Sequence, residues 1–218
     1  VTCTLLVGFY RDAVATRMGE LLTCLERNAA NALFDAVHVF VEDKRVRRAQ
    51  VLRDFPILSH PKIRLIDHGQ RVSYRDLFDY ASCALAGKRI VVANADIYFD
   101  ATLALLDGVD LDGKLLCLSR WDVHDDGSAH LFAHTYSQDA WIFQAPIRSF
   151  RSDFRMGLPR CDNRIAWEAQ RAGLAVSNPS CSIRAHHLHA SGVRNYVQQQ
   201  EIRGDGLGIP VTELEQGR

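Results

Sequence analysis

Three groups of side chains in this chain have the types and the spacing to do chemistry. The first is Asn94-Ala95-Asp96, which closes the apolar run Val91 to Ala93 and leads into Ile97, Tyr98 and Phe99. A buried β-branched run has no use for a carboxylate at its carboxyl end, whereas a divalent cation carrying phosphates does, because hard oxygen ligands suit Mg²⁺ or Mn²⁺. Asn and Asp also turn the chain after a strand, so the tripeptide alone reads equally well as a turn. The second group is His186, His187 and His189. Alternate residues of a strand share a face, so His187 and His189 point one way and His186 the other, and two imidazoles on one face can bind a metal. A lone histidine in an apolar strand is more often a core residue, but three within four positions is a rarer pattern. The third group is acidic. Asp162 opens a helical pattern, where an N-cap role is a sufficient structural reason and removal of a proton from a hydroxyl is the chemical one. Asp139, in Ser137-Gln138-Asp139-Ala140-Trp141, is a second such acid, its ordinary reading being a loop carboxylate bonded to nearby amides.

These residues need elements to hold them. Thr4 to Phe9 reads as a first strand, followed by a helix face at Met18, Leu21, Leu22 and Leu25. Ala36 to Val41 and Ile63 to Ile66 are the next strands. Tyr74, Leu77, Phe78, Ala81 and Leu85 mark a helix that Gly87 stops, before Ile90 opens strand four. The spacing thus predicts four βα steps before residue 110, the pattern of an α/β fold with a mostly parallel sheet. Leu115 to Leu118 and Ala140 to Phe143 read as strands, Arg120 to Tyr136 as a long polar loop, Cys161 to Ala172 as a helix begun by Asp162, and Ile183 to His189 as a last strand. The chain from Ser191 is polar and runs into Gly204-Asp205-Gly206-Leu207-Gly208, unsuited to a helix or central strand.

In an open α/β sheet, ligands sit outside the carboxyl ends of the strands. Those ends read Gly8-Phe9-Tyr10-Arg11-Asp12, Glu42-Asp43, Asp67-His68-Gly69 with Arg71 beyond, and Asn94-Ala95-Asp96. An acid after strand two can accept from a ribose or a base edge, although a solvated turn into the basic run Lys44, Arg45, Arg47 and Arg48 explains Glu42 and Asp43 as well. Arg71 can face a diphosphate and Asp96 can hold its metal. No G-x-G-x-x-G follows strand one and no G-x-x-x-x-G-K-[ST] occurs, which lowers a dinucleotide enzyme or a P-loop enzyme. The lack of G-x-S-x-G lowers an α/β hydrolase.

With 26 basic and 26 acidic residues the formal net charge is zero, so nothing in the whole-molecule field attracts nucleic acid or an acidic membrane. At 218 residues and 47% hydrophobic, the chain suits one domain, with no run of eighteen apolar residues to span a bilayer. Cys3, Cys24, Cys83, Cys117, Cys161 and Cys181 are scattered without a CxxC pair, as expected of reduced, mostly buried thiols in a cytoplasmic protein. Val1 to Tyr10 lacks the basic lead of a signal peptide. The chain starts without methionine, so other domains of a longer polypeptide are among the expected partners.

Over about residues 1–196 the chain resembles the GT-A fold nucleotide-sugar glycosyltransferases. The resemblance rests on Asn94-Ala95-Asp96 in the place of their D-x-D motif, on Asp162 in Cys161-Asp162-Asn163-Arg164, and on His187 or His189 as a C-terminal histidine. The segments SQDAWIF from Ser137, CDNRIAWEAQRAG from Cys161 and NPS from Asn178 look similar to bacterial and plant glycosyltransferase-like domains. The resemblance implies a nucleotide-sugar-binding half (1–100), an acceptor half (101–196) and a polar Gly-rich tail (197–218). It implies Mn²⁺ or Mg²⁺ on Asp96 with His187 and His189, and a UDP- or GDP-linked donor contacted by Phe9, Arg11, Glu42, Arg71, Asn94, Asp96 and Arg194. Asn94 departs from the motif's first acid, which leaves Asp96 as the metal ligand. Asp162 would be the base of an inverting enzyme, the favoured outcome; Gln138 or Asp139 becomes the position of interest in a retaining one. Trp121, Trp141 and Tyr136 could stack on a glycan acceptor, with core packing an equal explanation for Trp141. The expected setting is cytoplasmic assembly of surface polysaccharide or glycoconjugate. Two alternatives stand beside it. A sugar nucleotidyltransferase would have a Gly-rich basic first loop, for which Gly8-Phe9-Tyr10-Arg11-Asp12 is a poor match; a non-catalytic nucleotide- or carbohydrate-binding module is favoured by Asn94 and opposed by Asp162 with the paired histidines.

Overall fold

The apolar N-terminal half builds a parallel sheet because its strands are buried on both faces and so read as continuous β-branched runs. In the computed structural model, which describes residues 2–44, 48–193 and 197–215, these are β1 (Cys3–Phe9), β2 (Phe34–Val41), β3 (Ile63–Asp67) and β4 (Arg89–Ala93). They lie parallel in the order β3-β2-β1-β4. The connecting helices are α1 (Ala15–Ala30), α2 (Arg48–Asp54) and α3 (Tyr74–Ala84). A reciprocal capping box starts α3: Ser73 Oγ accepts from the Asp76 amide, and Asp76 Oδ2 accepts from the Ser73 amide at 2.8 Å. Three βα steps are present rather than the expected four. β4 passes directly into the short β5 (Ile97–Phe99) and a 3₁₀ turn over Ala101–Leu106.

The sheet continues past β4 through β9 (Ala140–Gln144), β6 (Lys114–Leu118) and β10 (Ala175–Ser177), giving seven strands in all, with β9 antiparallel to both its neighbours. One face is covered by α1 through Met18, Leu21 and Leu25; the other is covered by α3 and by α4 (Cys161–Arg171), with Tyr74, Phe78, Trp141 and Phe143 in edge contact at its centre.

The stretch Arg120 to Tyr136 is not a long loop. It forms a hairpin of β7 (Arg120–Val123) and β8 (Ala129–Leu131), turned at Gly127 with φ 82°, where a side chain would be strained. This hairpin joins β5 and β11 (Ala185–His187) in a second sheet of order β5-β11-β7-β8. The last strand is shorter than the run Ile183 to His189, so His189 lies beyond its end. Asn28 of α1 pins β5 by donating to the Ile97 carbonyl at 2.8 Å and accepting from the Phe99 amide at 3.1 Å. That pair replaces the strand neighbour β5 lacks on this side and fixes the residue just before it, Asp96.

The glycine-rich segment near the C-terminus crosses the mouth of α4. Leu207 donates to the Asn163 carbonyl at 2.9 Å and Ile209 to the Thr135 carbonyl at 2.8 Å. A Cβ on Gly206 would lie 2.3 Å from Asn163 Oδ1, so the close approach requires glycine. The Asn178-Pro179-Ser180 segment serves this packing: Asn178 Nδ2 donates to Ser119 Oγ at 2.9 Å and its backbone carbonyl accepts from Thr212.

Candidate active site

A cleft of about 1080 Å³ opens at the carboxyl ends of β1 and β4, where the strand order reverses. This is the position at which open α/β sheets bind ligands, and the volume is at the upper end for small-molecule sites.

Cross-strand register assembles one side of it. His187 is paired with Ile97 of β5 and with Asp122 of β7, so His187 and Asp122 share a face, and His187 Nδ1 lies 2.8 Å from Asp122 Oδ1. His187 Nε2 lies 3.3 Å from Asp96 Oδ2. His189 turns its Nδ1 to 3.6 Å from the same oxygen, while its Nε2 donates to the Val193 carbonyl at 2.7 Å. His186 points the other way, stacked on Tyr98 and bonded to Asp100 at 2.9 Å. From α1, Arg17 Nη2 meets Asp96 Oδ2 at 2.5 Å, and Arg17 Nη1 donates to Glu20 at 2.9 Å and to the Leu188 carbonyl at 3.3 Å.

Burial works against the Asp96 carboxylate, yet His187 and Arg17 beside it hold its carboxyl well below the ordinary range. Burial likewise opposes the His187 imidazolium, but hydrogen bonds to Asp122 and Asp96 overcome it and raise its pKa to about 9. His189 is held below the usual imidazole value by burial and by the charge of Arg17, so its Nδ1 lone pair is free at neutral pH.

The opposite wall carries the acids Asp139 and Asp162. Asp162 is not the N-cap of α4; that position is Arg160, in the left-handed region at φ 65°, which non-glycine residues rarely adopt. Arg160 is steadied by Glu201 at 3.1 Å and the Gly204 carbonyl at 2.8 Å. Asp162 follows in the first turn, accepting from the amides of Asn163 at 2.9 Å and Gln138 at 3.3 Å. Burial raises its carboxyl; the amide bonds pull against this and the charge of Asp139 adds to it, leaving the pKa at about 6. Asp139 is committed elsewhere: Oδ1 accepts from Asn94 Nδ2 at 3.0 Å and Oδ2 from Arg120 Nη1 at 3.3 Å. Gln138 is 1% exposed, lines the cleft, and has no partner for Oε1 among the described residues.

The expected site residues divide. Glu42, Arg71, Asn94, Asp96, Asp139, Asp162, His187 and His189 line the cleft. Glu42 accepts from the Val72 amide at 3.2 Å with its carboxyl pushed up by burial, and Arg71 donates to the Gly157 carbonyl at 3.1 Å. Phe9 and Arg11 are not brought to it. Phe9 is in the core, edge-on to Phe55, and Arg11 pairs with Asp54 while lying over the same ring. Arg194 lies outside the described residues. Trp141 is fully buried and Trp121 donates to the Ser180 carbonyl at 2.9 Å, whereas Tyr136, 51% exposed, remains on the cleft rim. Arg17, Glu20 and Asp122 were not singled out by sequence. The signal for Arg17 was available: Arg17, Leu21, Cys24 and Asn28 form one buried helical stripe, and a cation in such a stripe needs a partner.

No family model matches the chain, and no curated protein matches it. Solved structures do. The mannosyltransferase PcManGT from Pyrobaculum calidifontis, in complex with GDP-Man and Mn²⁺, aligns with TM-score 0.52 at 15% identity, over 85% of this chain and 56% of that one. S. aureus TarS, residues 1–349, aligns with TM-score 0.50 at 13% identity, over 86% of this chain and 60% of that one. The fold is GT-A-like. A 4-diphosphocytidyl-2C-methyl-D-erythritol synthase aligns with TM-score 0.46, too loosely to bear on activity. This chain spans about 60% or less of the GT-A structures named here. In its GT-A-like fold, Asn94-Ala95-Asp96 occupies the end of β4, at the reversal of strand order. Among the described residues no helix is long and apolar enough to cross a membrane.

Proposed function

We propose that the protein is a metal-assisted glycosyltransferase that moves a sugar from a UDP- or GDP-linked donor to a hydroxyl of a glycan or glycoconjugate. The observation that carries this reading is the convergence of Asp96, His187 and His189, whose ligand atoms lie within 4.8 Å of one another in the cleft. The donor set fits a divalent cation, which would take the place of the proton that Asp122 and Asp96 hold on His187. Asp122 and the Val193 carbonyl each hold one ring nitrogen, leaving His187 Nε2 and His189 Nδ1 toward Asp96, as the hydrogen-bond acceptors behind metal-binding histidines do. Two imidazoles favour Mn²⁺ over Mg²⁺, which keeps to oxygen ligands. Charge supports a metal as well: among the described residues, six carboxyl side chains (Glu42, Asp96, Asp122, Asp125, Asp139, Asp162) line the cleft against four arginines (17, 71, 120, 160) and the His187 imidazolium. A diphosphate needs further positive charge there. The metal would supply electrostatic stabilisation of the leaving diphosphate.

Residues 1–100 would hold the nucleotide-sugar, through Glu42 and Arg71, and residues 101–196 the acceptor. Asp162 would take the acceptor hydroxyl proton as that oxygen attacks the anomeric carbon and the diphosphate departs, the inverting course. Its pKa near 6 and its place on the cleft wall suit a base at neutral pH, and Asp139, ion-paired to Arg120 and bonded to the Asn94 side chain, is the poorer one. A role in surface polysaccharide or glycoconjugate assembly in the cytoplasm follows from the sequence resemblance.

The test is a thermal-shift titration with UDP, GDP, CMP and dTDP, each with and without Mn²⁺. One nucleotide is expected to raise the melting temperature further when Mn²⁺ is present, because ligands of the native state stabilise it. No shift with any nucleotide would favour a binding module without this activity. Asp122→Asn is expected to weaken Mn²⁺ binding by about 10- to 100-fold; unchanged affinity by calorimetry would remove Asp122 from the site.

A further inference from the structure

We propose that Arg17 is a built-in competitor for the metal position, so that a divalent ion takes Asp96 only as a diphosphate draws the guanidinium away. The inference rests on the metal-site reading above and concerns a residue that reading does not use. Three groups meet one atom. Asp96 Oδ2 is the oxygen nearest His187 Nε2 at 3.3 Å and His189 Nδ1 at 3.6 Å, and the same oxygen carries Arg17 Nη2 at 2.5 Å. An ion bound there at ordinary metal–oxygen distance would stand within about 5 Å of the guanidinium. The Arg17 and Asp96 side chains are 6% and 10% exposed, so salt screens that repulsion little. One cation has to leave.

Arg17 has a means of leaving and a reason not to leave alone. Its Nη1 keeps Glu20 and the Leu188 carbonyl, and Glu20 is itself fixed by the Ser191 amide at 2.7 Å and hydroxyl at 2.8 Å. Releasing Nη2 therefore gives up one ion pair without freeing the side chain. Arg17 lines the cleft, and its Nε is buried with no partner among the described residues, so Nη2 and Nε are donors for a phosphate oxygen. With Asp96 given up, Glu20 is the anion the guanidinium keeps, while Nη2 and Nε are left as buried donors without an acceptor, which is disfavoured. A diphosphate supplies that acceptor, which makes metal binding conditional on it.

The experiment follows free Mn²⁺ by electron paramagnetic resonance as it is titrated into the wild type, Arg17→Met and Arg17→Lys, with and without GDP or UDP. Without nucleotide, Arg17→Met is expected to bind Mn²⁺ at least about tenfold more tightly than the wild type, within the usual range of coupling between sites. Arg17→Lys keeps a cation and should stay near the wild type, and the nucleotide should tighten Mn²⁺ more in the wild type than in Arg17→Met. Equal or weaker binding by Arg17→Met would overturn the competition while leaving the metal site intact. Absence of Mn²⁺ binding in all three proteins, with nucleotide or without, would overturn the metal site too. If Arg17→Met does not fold, the wild type decides: Mn²⁺ bound as tightly without nucleotide as with it overturns the proposal.

Discussion

Asp96→Ala is expected to abolish sugar transfer and Mn²⁺-linked nucleotide binding, and to cost about 3–5 kcal/mol of stability, the usual effect of breaking a buried ion pair from one side. The stability loss comes from what remains. Arg17 is 6% exposed at its side chain and His187 13%, and with the carboxylate gone two positive groups face one another without the charge that lay between them. Asp96→Asn keeps the shape and one acceptor oxygen. It should recover part of the stability without restoring metal binding. The carboxyl of Asp96 is held below its ordinary range in the fold, so its contribution is present above the unfolded pKa of about 4 and is lost as pH falls through the lower folded value. Urea unfolding at neutral pH measures the stability change, and calorimetry with Mn²⁺ the binding. Transfer at the wild-type rate by Asp96→Ala would remove this carboxylate from the mechanism.

The sheet was legible because burial on both faces writes itself into composition. Leu5 and Leu6, Val91 and Val92, and Ile142 and Phe143 all reach 0% exposure, and such runs between helical stripes admit few other readings. The His187/His189 pair was legible only in part: strand alternation separates His187 from His186, but His189 lies beyond the end of the last strand and reaches Asp96 from the chain that follows it. The hairpin β7–β8 was not. Its residues Arg120 to Val123 are all half-buried, and a strand whose apolar partners are few carries little periodicity, so Asp122 was lost in an apparent loop. Asp162 was placed on the correct helix but one role away: only the left-handed turn at Arg160 moves it from cap to first turn, and an arginine gives no sequence signal for a positive φ. Asn94 shows the same limit. Its residue type fitted a ligand contact, but its side chain reaches Asp139, a contact made through β9 that no spacing along the chain encodes.

Asp162→Asn is expected to lower transfer by about 10²- to 10⁴-fold, the usual share of a positioned base, while leaving nucleotide binding near wild type and removing the fall of stability with pH between about 4 and 6. The two effects have one cause. Burial and the neighbouring Asp139 charge leave the Asp162 pKa at about 6, against about 3.9 in an unfolded chain. Between those values the native state holds more protons than the unfolded state, so stability falls as pH rises across that window. The loss amounts to at most about 3 kcal/mol, and Asn, which never ionises, escapes it. Wild-type kcat should accordingly rise with pH through about 6 as the base ionises, over the range in which stability declines, and both limbs should vanish in Asp162→Asn. Thermal melts and rates recorded from pH 4.5 to 8 in the two proteins separate a base from a merely structural acid: a structural acid would lose the stability limb and keep the rate limb. Retention of the rate limb in Asp162→Asn would pass the base role to another group, and Asp139 could take it only by giving up Asn94 or Arg120.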